Sequence, residues 1–254
     1  RFVSEMKAFF LLLGLLSRVS SRILAPTLNI RGGAAEREEL TTGKVWTLKT
    51  FVRDHVTFTS QLPGYLGAYI GNRAVEPSIN EAVMLTMNSI NTCPYCTGLH
   101  GQLARMASAE DPSKSKAPEV IYAKVFATHA GRGKAVEAAY AELAAAVGDG
   151  KASSTRALCW FLLWGKTTGN TVNAVRGKIL SLKLLSLTPF DVAVFAVYAP
   201  LFATIGVLNV GLLKMPKVPP KVSAAIGATL WVPQALHVGL LGLFSLLPAK
   251  LLVR

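Results

Sequence analysis

The chain has 254 residues, enough for one or two domains with a sizeable core. It is 51% hydrophobic and 16% charged, a composition too apolar for a disordered tail and unusually apolar for an ordinary soluble enzyme. Lys and Arg number 27 against 14 acids, and the net charge of +13 favours an anionic partner, whether membrane surface, nucleic acid or acidic protein. The three cysteines are too few for a disulfide-stapled secreted fold.

The N-terminal segment, 1–39, has the features of a targeting sequence. A short apolar run at 8–16 follows Lys7 and is too short to cross a membrane. Acids are absent from 6–35, and the Arg- and Ser-bearing stretch behind the apolar run is typical of a transit peptide. The two signals in tandem fit import into a plastid with extra envelope membranes. The alternative is an amphipathic helix retained on a membrane surface.

The central region, 40–184, is expected to be an all-α domain. From about residue 43 onward apolar residues recur at spacings of three and four, and no period-2 alternation persists. Helices are expected at 81–90, from near Cys93, and at 120–130, 133–148 and 154–183. Loops are indicated at 61–64, 108–118 and 148–153. A capping box from Ser78 to Glu81 is a further expectation.

Chemistry-bearing residues concentrate in the sequence EAVMLTMNSINTCPYCTGLH at 81–100. If a helix begins at Cys93, then Cys93, Cys96 and His100 share one helical face. The positive end of the helix dipole favours thiolate over thiol, and an imidazole one turn beyond Cys96 can take or return its proton. Glu81, on the preceding helix, can reach His100 and hold it in one tautomer. The set therefore supplies a nucleophile, a second thiol, a base and an orienting acid.

The pattern Glu81-x11-Cys93-x2-Cys96-x3-His100 resembles the signature of the alkylhydroperoxidase D-like, or carboxymuconolactone decarboxylase-like, family. The resemblance covers about 45–180. It implies an all-α domain that forms homo-oligomers and performs hydroperoxide reduction or disulfide exchange, using a redox-active cysteine pair and an external dithiol reductant in place of a bound cofactor. It also implies that Cys96 is the peroxidatic thiol and Cys93 the resolving thiol, with Glu81 and His100 as proton relay. Helix-start geometry alone favours Cys93, as the more exposed thiol, for the first attack.

Three other interpretations of the motif stay open. Cys-Pro-Tyr-Cys is also the glutaredoxin tetrapeptide, although there it follows a β-strand and here it follows a helix-like segment. Cys93, Cys96, His100 and Glu81 have ligand types acceptable to zinc, without a second ligand pair at zinc-finger spacing. The site is idle in the third interpretation, and the fold serves as a scaffold in a larger assembly. Cys159, in an apolar segment, is expected to be a buried thiol outside the site.

The C-terminal region, 185–254, is expected to form a transmembrane helical hairpin. Residues 192–213 and 222–249 carry no charge, and each is long enough to cross the hydrocarbon core. The connector at 214–221 is rich in Lys and Pro. A pair of buried core helices in a soluble bundle is the alternative, since Pro interrupts both segments. His237, inside the second span, is a candidate for an interhelical hydrogen bond or for pigment or metal ligation.

Two functions are compatible with these observations. The first is a membrane-tethered thiol-dependent peroxidase or disulfide oxidoreductase, with membrane lipids, a hydroperoxide and a dithiol protein as partners. The second is a non-catalytic accessory subunit of a photosynthetic or respiratory membrane complex. In both cases we expect an integral protein of an organellar membrane, with plastid or thylakoid favoured over the mitochondrial inner membrane. No nucleic-acid motif or aromatic interleaving accompanies the basic residues, so lipid headgroups or an acidic protein are favoured over nucleic acid.

Overall fold

The computed structural model describes residues 44–69, 71–107, 111, 113–212, 215–219, 221–222 and 225–226, and its regular structure within them is entirely helical. The α-helices in chain order are α1 (Leu48–Gly67), α2 (Pro77–Asn91), α3 (Pro94–Ala107), α4 (Pro118–Thr128), α5 (Lys134–Val147), α6 (Asp149–Leu180) and α7 (Pro189–Leu212). Short 3₁₀ turns, Gly71–Arg73 and Leu184–Ser186, precede α2 and α7. The expected all-α class is confirmed for these residues.

Some local expectations about the helix boundaries are wrong. The loop expected at 148–153 shrinks to Gly148, whose φ of 83° ends α5 while α6 begins at the next residue. The capping box expected from Ser78 does not form. Glu76 is the N-cap of α2, and the Ser78 hydroxyl donates to the Glu76 carboxylate at 2.7 Å. Pro77 occupies the first position of α2. The N–H of a residue at that position has no partner within the helix, so the missing N–H of proline costs no hydrogen bond.

The loop expected at 61–64 is also wrong, because α1 continues through Pro63 to Gly67. A proline inside a helix removes one backbone hydrogen bond, so packing must hold the helix together there. That packing is close, since a Cβ built on Gly64 would lie 2.9 Å from the Cβ of Ala157 on α6. Tertiary contact with α6 thus outweighs the local preference of proline to end the helix.

The centre of the bundle is α6, a helix of 32 residues that contacts each of the other six α-helices. Its partner α1 runs antiparallel to it. Near one end of the pair, the indole N–H of Trp46 donates to the Thr168 hydroxyl at 3.0 Å and its backbone N–H donates to that of Thr171 at 2.8 Å. A helix with apolar residues on most of its faces is stable in water only when neighbours surround it.

A buried histidine on α1 completes this core. The Trp164 indole N–H donates to His55 Nε2 at 2.9 Å, so Nε2 is the acceptor and the ring proton resides on Nδ1. His55 Nδ1 in turn lies 2.6 Å from the carbonyl oxygen of Phe51 and donates to it. Both ring nitrogens are therefore satisfied, which makes His55 a structural residue.

Lys166 on α6 is buried, with only 1% of its surface exposed, and its ammonium or amine donates to the carbonyl of Met87 on α2. Burial lowers the pKa of Lys166 well below its ordinary value, while the nearby Cys159 thiol opposes that shift. Cys159 is itself fully buried and unbonded to another cysteine, as expected, and burial raises its pKa. A buried lysine that is not paired with a carboxylate destabilises the folded state when its side chain is a charged ammonium group.

Among the described helices, α7 is long and apolar enough to cross a membrane, judged by length and composition. Its mean hydropathy is 1.9, and 33% of its most apolar window is buried inside the protein. One face of α7 packs against α6 and α3, with Tyr198, Phe202 and Asn209 among the buried residues. The opposite face, including Val192, is exposed.

The other segments predicted to interact with a membrane lie outside the described residues. These are the N-terminal segment 1–39, nearly all of the second span at 222–249, and His237. The description of a membrane element therefore rests on α7 alone, and the hairpin stays a prediction. The domain limits at 40, 184 and 185 also stay predictions.

Substitution of Lys166 by Met tests the burial of the amine. The variant removes a polar group that is expensive to bury, so the free energy of unfolding at pH 7 is expected to rise by about 1–3 kcal/mol. Between the low pKa of the folded state and about 10.4 in the unfolded chain, only the unfolded chain binds the proton, so the stability of the wild type rises with pH. The advantage of Lys166→Met should therefore shrink from pH 7 to pH 9.

Denaturant titrations of both detergent-solubilised proteins at the two pH values measure this difference. Lys124→Met, on the exposed face of α4, is the matched control and should show no pH-dependent difference from the wild type. A stability difference for Lys166→Met that does not change with pH would mean that Lys166 is protonated in the folded state.

Candidate active site

The two cysteines of the motif lie at the start of α3. The helix begins at Pro94, as expected, so Cys93 immediately precedes it and Cys96 lies in its first turn. Cys93 and Cys96 are joined by a disulfide, with a Cα–Cα distance of 5.3 Å. The backbone N–H of Cys96 donates to the Cys93 sulfur at 3.3 Å. This N–H belongs to the unpaired first turn of the helix, which stabilises negative charge on sulfur after reduction.

The two sulfurs face different surroundings. Cys93 is only 1% exposed and lies under α6, where a Cβ built on Gly169 would come within 3.0 Å of its sulfur. Cys96 is partly exposed and lines a cavity. The expectation that Cys93 is the more exposed thiol is therefore wrong. Cys93 is the more buried thiol because α6 packs closely against it, and the sequence of α3 does not show that contact.

Glu81 and His100 are in direct contact, as expected from their placement on consecutive helices. His100 Nδ1 lies 3.0 Å from Glu81 Oε2, and the side chains are 14% and 7% exposed. With an ionised carboxylate as acceptor, the ring proton resides on Nδ1 and Nε2 is left for exchange with another group. The contact also offsets the cost of burying a carboxylate.

A cavity of about 80 Å³ brings three of the four signature residues together. Its wall includes Glu81, Cys96 and His100, along with apolar side chains from α6 and α7 such as Phe161 and Phe202. A cavity of roughly 150 Å³ holds a benzene ring, so this one accommodates a smaller group, such as a peroxide with its first carbon atoms. Cys93 is not part of the wall and is reached through Cys96.

Tyr65 on α1 and Tyr69 in the turn after α1, which were not among the residues predicted from the sequence, also line the cavity. The Tyr65 and Tyr69 hydroxyls are hydrogen-bonded to each other, and the Tyr69 hydroxyl is also bonded to the side chain of Asn80. Burial raises the pKa of both phenols, and the negative charge of nearby Glu81 adds to the shift. Both therefore stay protonated and act as hydrogen-bond donors. Helical periodicity does not join the two residues, because α1 ends at Gly67, between them.

Cys159, which the sequence predicts to be a buried thiol outside the site, lies apart from this cavity beside Lys166. His129 is exposed at the end of α4 and is not part of the cavity wall. Within the residues that the structure describes, no group of three or more His, Cys, Asp or Glu side chains is arranged to hold a metal ion. The four-residue signature is thus one spatial cluster, with Cys93 behind Cys96.

No family model, curated protein or solved structure matches this chain. The link to the alkylhydroperoxidase D-like family therefore rests on the signature residues of the sequence alone. It stays a prediction, as do the homo-oligomer and the external dithiol reductant that the family implies.

Substitution of His100 by Gln tests whether the imidazole activates Cys96. Without the base, the thiolate fraction of reduced Cys96 should fall, and its alkylation by iodoacetamide at pH 7 should slow by about tenfold or more. The measurement is the alkylation rate of the reduced protein between pH 5 and pH 9. His129→Gln, at an exposed position away from the cavity, should react like the wild type. Equal rates for both variants would show that His100 does not act on the thiol.

Proposed function

We propose that this chain is a thiol-dependent hydroperoxidase or disulfide oxidoreductase. The observation that carries the proposal is the cavity wall on which Cys96 lies together with a His100–Glu81 pair. A nucleophile, a base and a group that orients the base are the parts that activated thiol chemistry requires. A disulfide with a buried partner sulfur supplies the second half of the cycle.

In the first step, the proton of the Cys96 thiol moves to His100 Nε2, while Glu81 holds the imidazolium that results. The Cys96 thiolate attacks the outer oxygen of a hydroperoxide, a sulfur–oxygen bond forms and the oxygen–oxygen bond breaks. The departing alkoxide takes the proton from His100. The products are a sulfenic acid on Cys96 and an alcohol, so sulfur is oxidised as the peroxide is reduced.

In the second step, the Cys93 thiol gives up its proton and the thiolate attacks the sulfur of the Cys96 sulfenic acid. The sulfur–oxygen bond breaks, the departing hydroxide takes up that proton and leaves as water, and the disulfide forms. The N–H of Cys96 that donates to the Cys93 sulfur supports this step, because it stabilises the attacking thiolate. An external dithiol then exchanges with the disulfide and restores both thiols. Since Cys96 is the sulfur at the cavity, we propose that the reductant also attacks there.

The Tyr69 hydroxyl has a role in this cycle as a donor to the leaving oxygen. It lines the same cavity as Cys96 and His100, and burial raises its pKa, so the hydroxyl keeps a proton that it can donate. A hydrogen bond to the oxygen that develops negative charge lowers the barrier most, because it is stronger in the transition state than in the ground state.

The walls of the cavity favour an apolar hydroperoxide. Three of its side chains, Leu201, Phe202 and Ile205, come from α7, the helix apolar enough to cross a membrane. The cavity admits the peroxide end, and an acyl chain would extend along α7. A lipid hydroperoxide in an organellar membrane is therefore the substrate class and location that we propose.

A single-turnover thiol titration tests the proposed function. One equivalent of an alkyl hydroperoxide added to the reduced, detergent-solubilised protein should consume two thiols rapidly. Cys96→Ser should abolish the reaction, whereas Cys93→Ser should leave a sulfenic acid that a dimedone probe captures. The readout is the number of free thiols over time, together with the mass of the labelled protein.

Cys159→Ala is the matched control, since it removes a buried thiol outside the cavity and should leave the loss of two thiols unchanged. Capture of sulfenic acid in Cys96→Ser but not in Cys93→Ser would reverse the roles of the two thiols. Thiol loss no faster than that of free cysteine would contradict a peroxidase. The non-catalytic accessory subunit of an organellar membrane complex would then be the better interpretation.

Substitution of Tyr69 by Phe tests the donor to the leaving oxygen. The rate of thiol loss with hydroperoxide should fall by about tenfold or more, because one donor to a developing oxyanion is removed. The alkylation rate of Cys96 by iodoacetamide should stay unchanged, since the leaving group there is iodide. Tyr140→Phe, on α5, is the control. An equal fall in both rates would mean that Tyr69 affects the reactivity of the Cys96 thiol and does not assist the leaving group.

A further inference from the structure

The end of α6 and its connection to α7 carry four leucines that water reaches. Leu180, Leu182, Leu184 and Leu185 are 51%, 80%, 55% and 105% exposed. We call residues 180–185 the leucine loop. A single exposed leucine on a soluble protein requires no explanation, but a contiguous apolar surface is typical of an interaction site.

The backbone of the leucine loop gives Leu182 an unusual position. The N–H of Leu182 donates to the carbonyl of Ile179 and that of Lys183 donates to Lys178, which is the Schellman arrangement at the end of α6. Leu182 occupies the left-handed position of that motif, with φ of 57°, where glycine is the usual residue. A leucine that is both strained and exposed does not contribute to the stability of the isolated fold.

Lysines lie at the same end of the bundle as the leucine loop. Lys183 belongs to the loop, and Lys178 lies two residues before it. The start of α1 is at this end as well, since the rings of Phe51 and Phe190 lie 5.5 Å apart. Lys49, in the first turn of α1, and Lys44, which precedes α1, are both exposed. Asp191, in the first turn of α7, is bound to Lys178 at 2.9 Å. The apolar surface therefore lies at an end of the bundle that is rich in lysine.

The leucine loop leads into α7, on whose outer face Val192 and Val197 are each 53% exposed. Throughout 192–212 the helix carries no charged residue, so this face offers no salt bridge to a protein partner. Apolar side chains at a projecting loop, with lysines around them, match the boundary between acyl chains and anionic headgroups.

We propose that the leucine loop and the lysines around it form a docking site for an anionic lipid surface. The leucines enter the boundary region of the bilayer, and Lys44, Lys49 and Lys183 contact the headgroups. A lysine near an anionic membrane surface strengthens binding because it attracts the negatively charged headgroups. This docking site uses none of the residues of the cavity and is independent of the proposed redox function.

Depth-sensitive labelling of the full chain tests the docking site. An environment-sensitive dye is attached at Leu185→Cys, because Cys93 and Cys96 are paired and Cys159 is buried. In vesicles containing phosphatidylglycerol the dye should shift to the blue and be quenched by lipid-borne quenchers. Leu182→Cys provides a second attachment point, and Ile121→Cys, 53% exposed on α4, is the control that should stay in water.

Charge reversal tests the lysines. Lys44→Glu/Lys49→Glu/Lys183→Glu in the labelled protein should weaken apparent affinity for the anionic vesicles by about tenfold or more, while Lys124→Glu on α4 should have little effect. Vesicles of phosphatidylcholine alone should give a much weaker shift.

Each result that would contradict the lipid docking site has its own signature in these experiments. A dye at 185 that stays in water with every vesicle, or that is shielded before vesicles are added, would overturn the proposal; the latter result would show that another segment of the chain covers the loop. Equal shifts in neutral and anionic vesicles would exclude the lysines. A dimer in light scattering that Leu184→Ser/Leu185→Ser dissociates would show that a second copy covers the surface.

Discussion

The close surrounding of α6 by its neighbours is the constraint on which the other features depend. Every other described α-helix contacts it, and its buried residues include Trp164, Lys166 and Thr168. Such a helix cannot be stable alone in water. The formation of α6 and the packing of the other helices around it are therefore one cooperative folding event. Its glycine at 169 permits the approach that buries the Cys93 sulfur. A helix that carries none of the signature residues therefore determines which of the two sulfurs meets the cavity.

The site itself combines local and tertiary effects. The start of α3 places an N–H at the Cys93 sulfur, and this effect belongs to any helix that begins next to a cysteine. The His100–Glu81 contact requires that α2 and α3 pack together, and it joins residues nineteen positions apart. Tyr65 comes from α1 and Tyr69 from the turn that follows it, which are more distant still in the sequence from His100. Three helices thus contribute polar groups to a cavity of about 80 Å³, where low solvent access strengthens each of their interactions.

One helix, α7, belongs to both the cavity and the outer surface. Phe202 and Ile205 face the site, whereas Val192 and Val197 face outward without any charged neighbour along 192–212. In a soluble bundle the outward face would carry Lys and Glu, as α5 does with Lys134 and Glu137. An apolar outer face costs free energy in water, and contact with lipid removes that cost. The same helix thus lines the cavity beside the thiol and has the length and apolar composition of a membrane span.

Sequence patterns by themselves determined the all-α class, most helix positions, the start of α3 beside Cys93 and the apolar character of α7. These are consequences of periodicity, helix-start chemistry and composition, which act over a few residues. The Glu81–His100 contact could be expected from spacing because only one helix junction separates the two residues. Only the tertiary structure decided that α1 continues through Pro63, that Cys93 is the buried sulfur, that Tyr65 and Tyr69 line the cavity, and that Lys166 is buried. Each of these depends on which surface of α6 faces which neighbour, and that choice follows from the packing of whole helices over distances that no local pattern encodes.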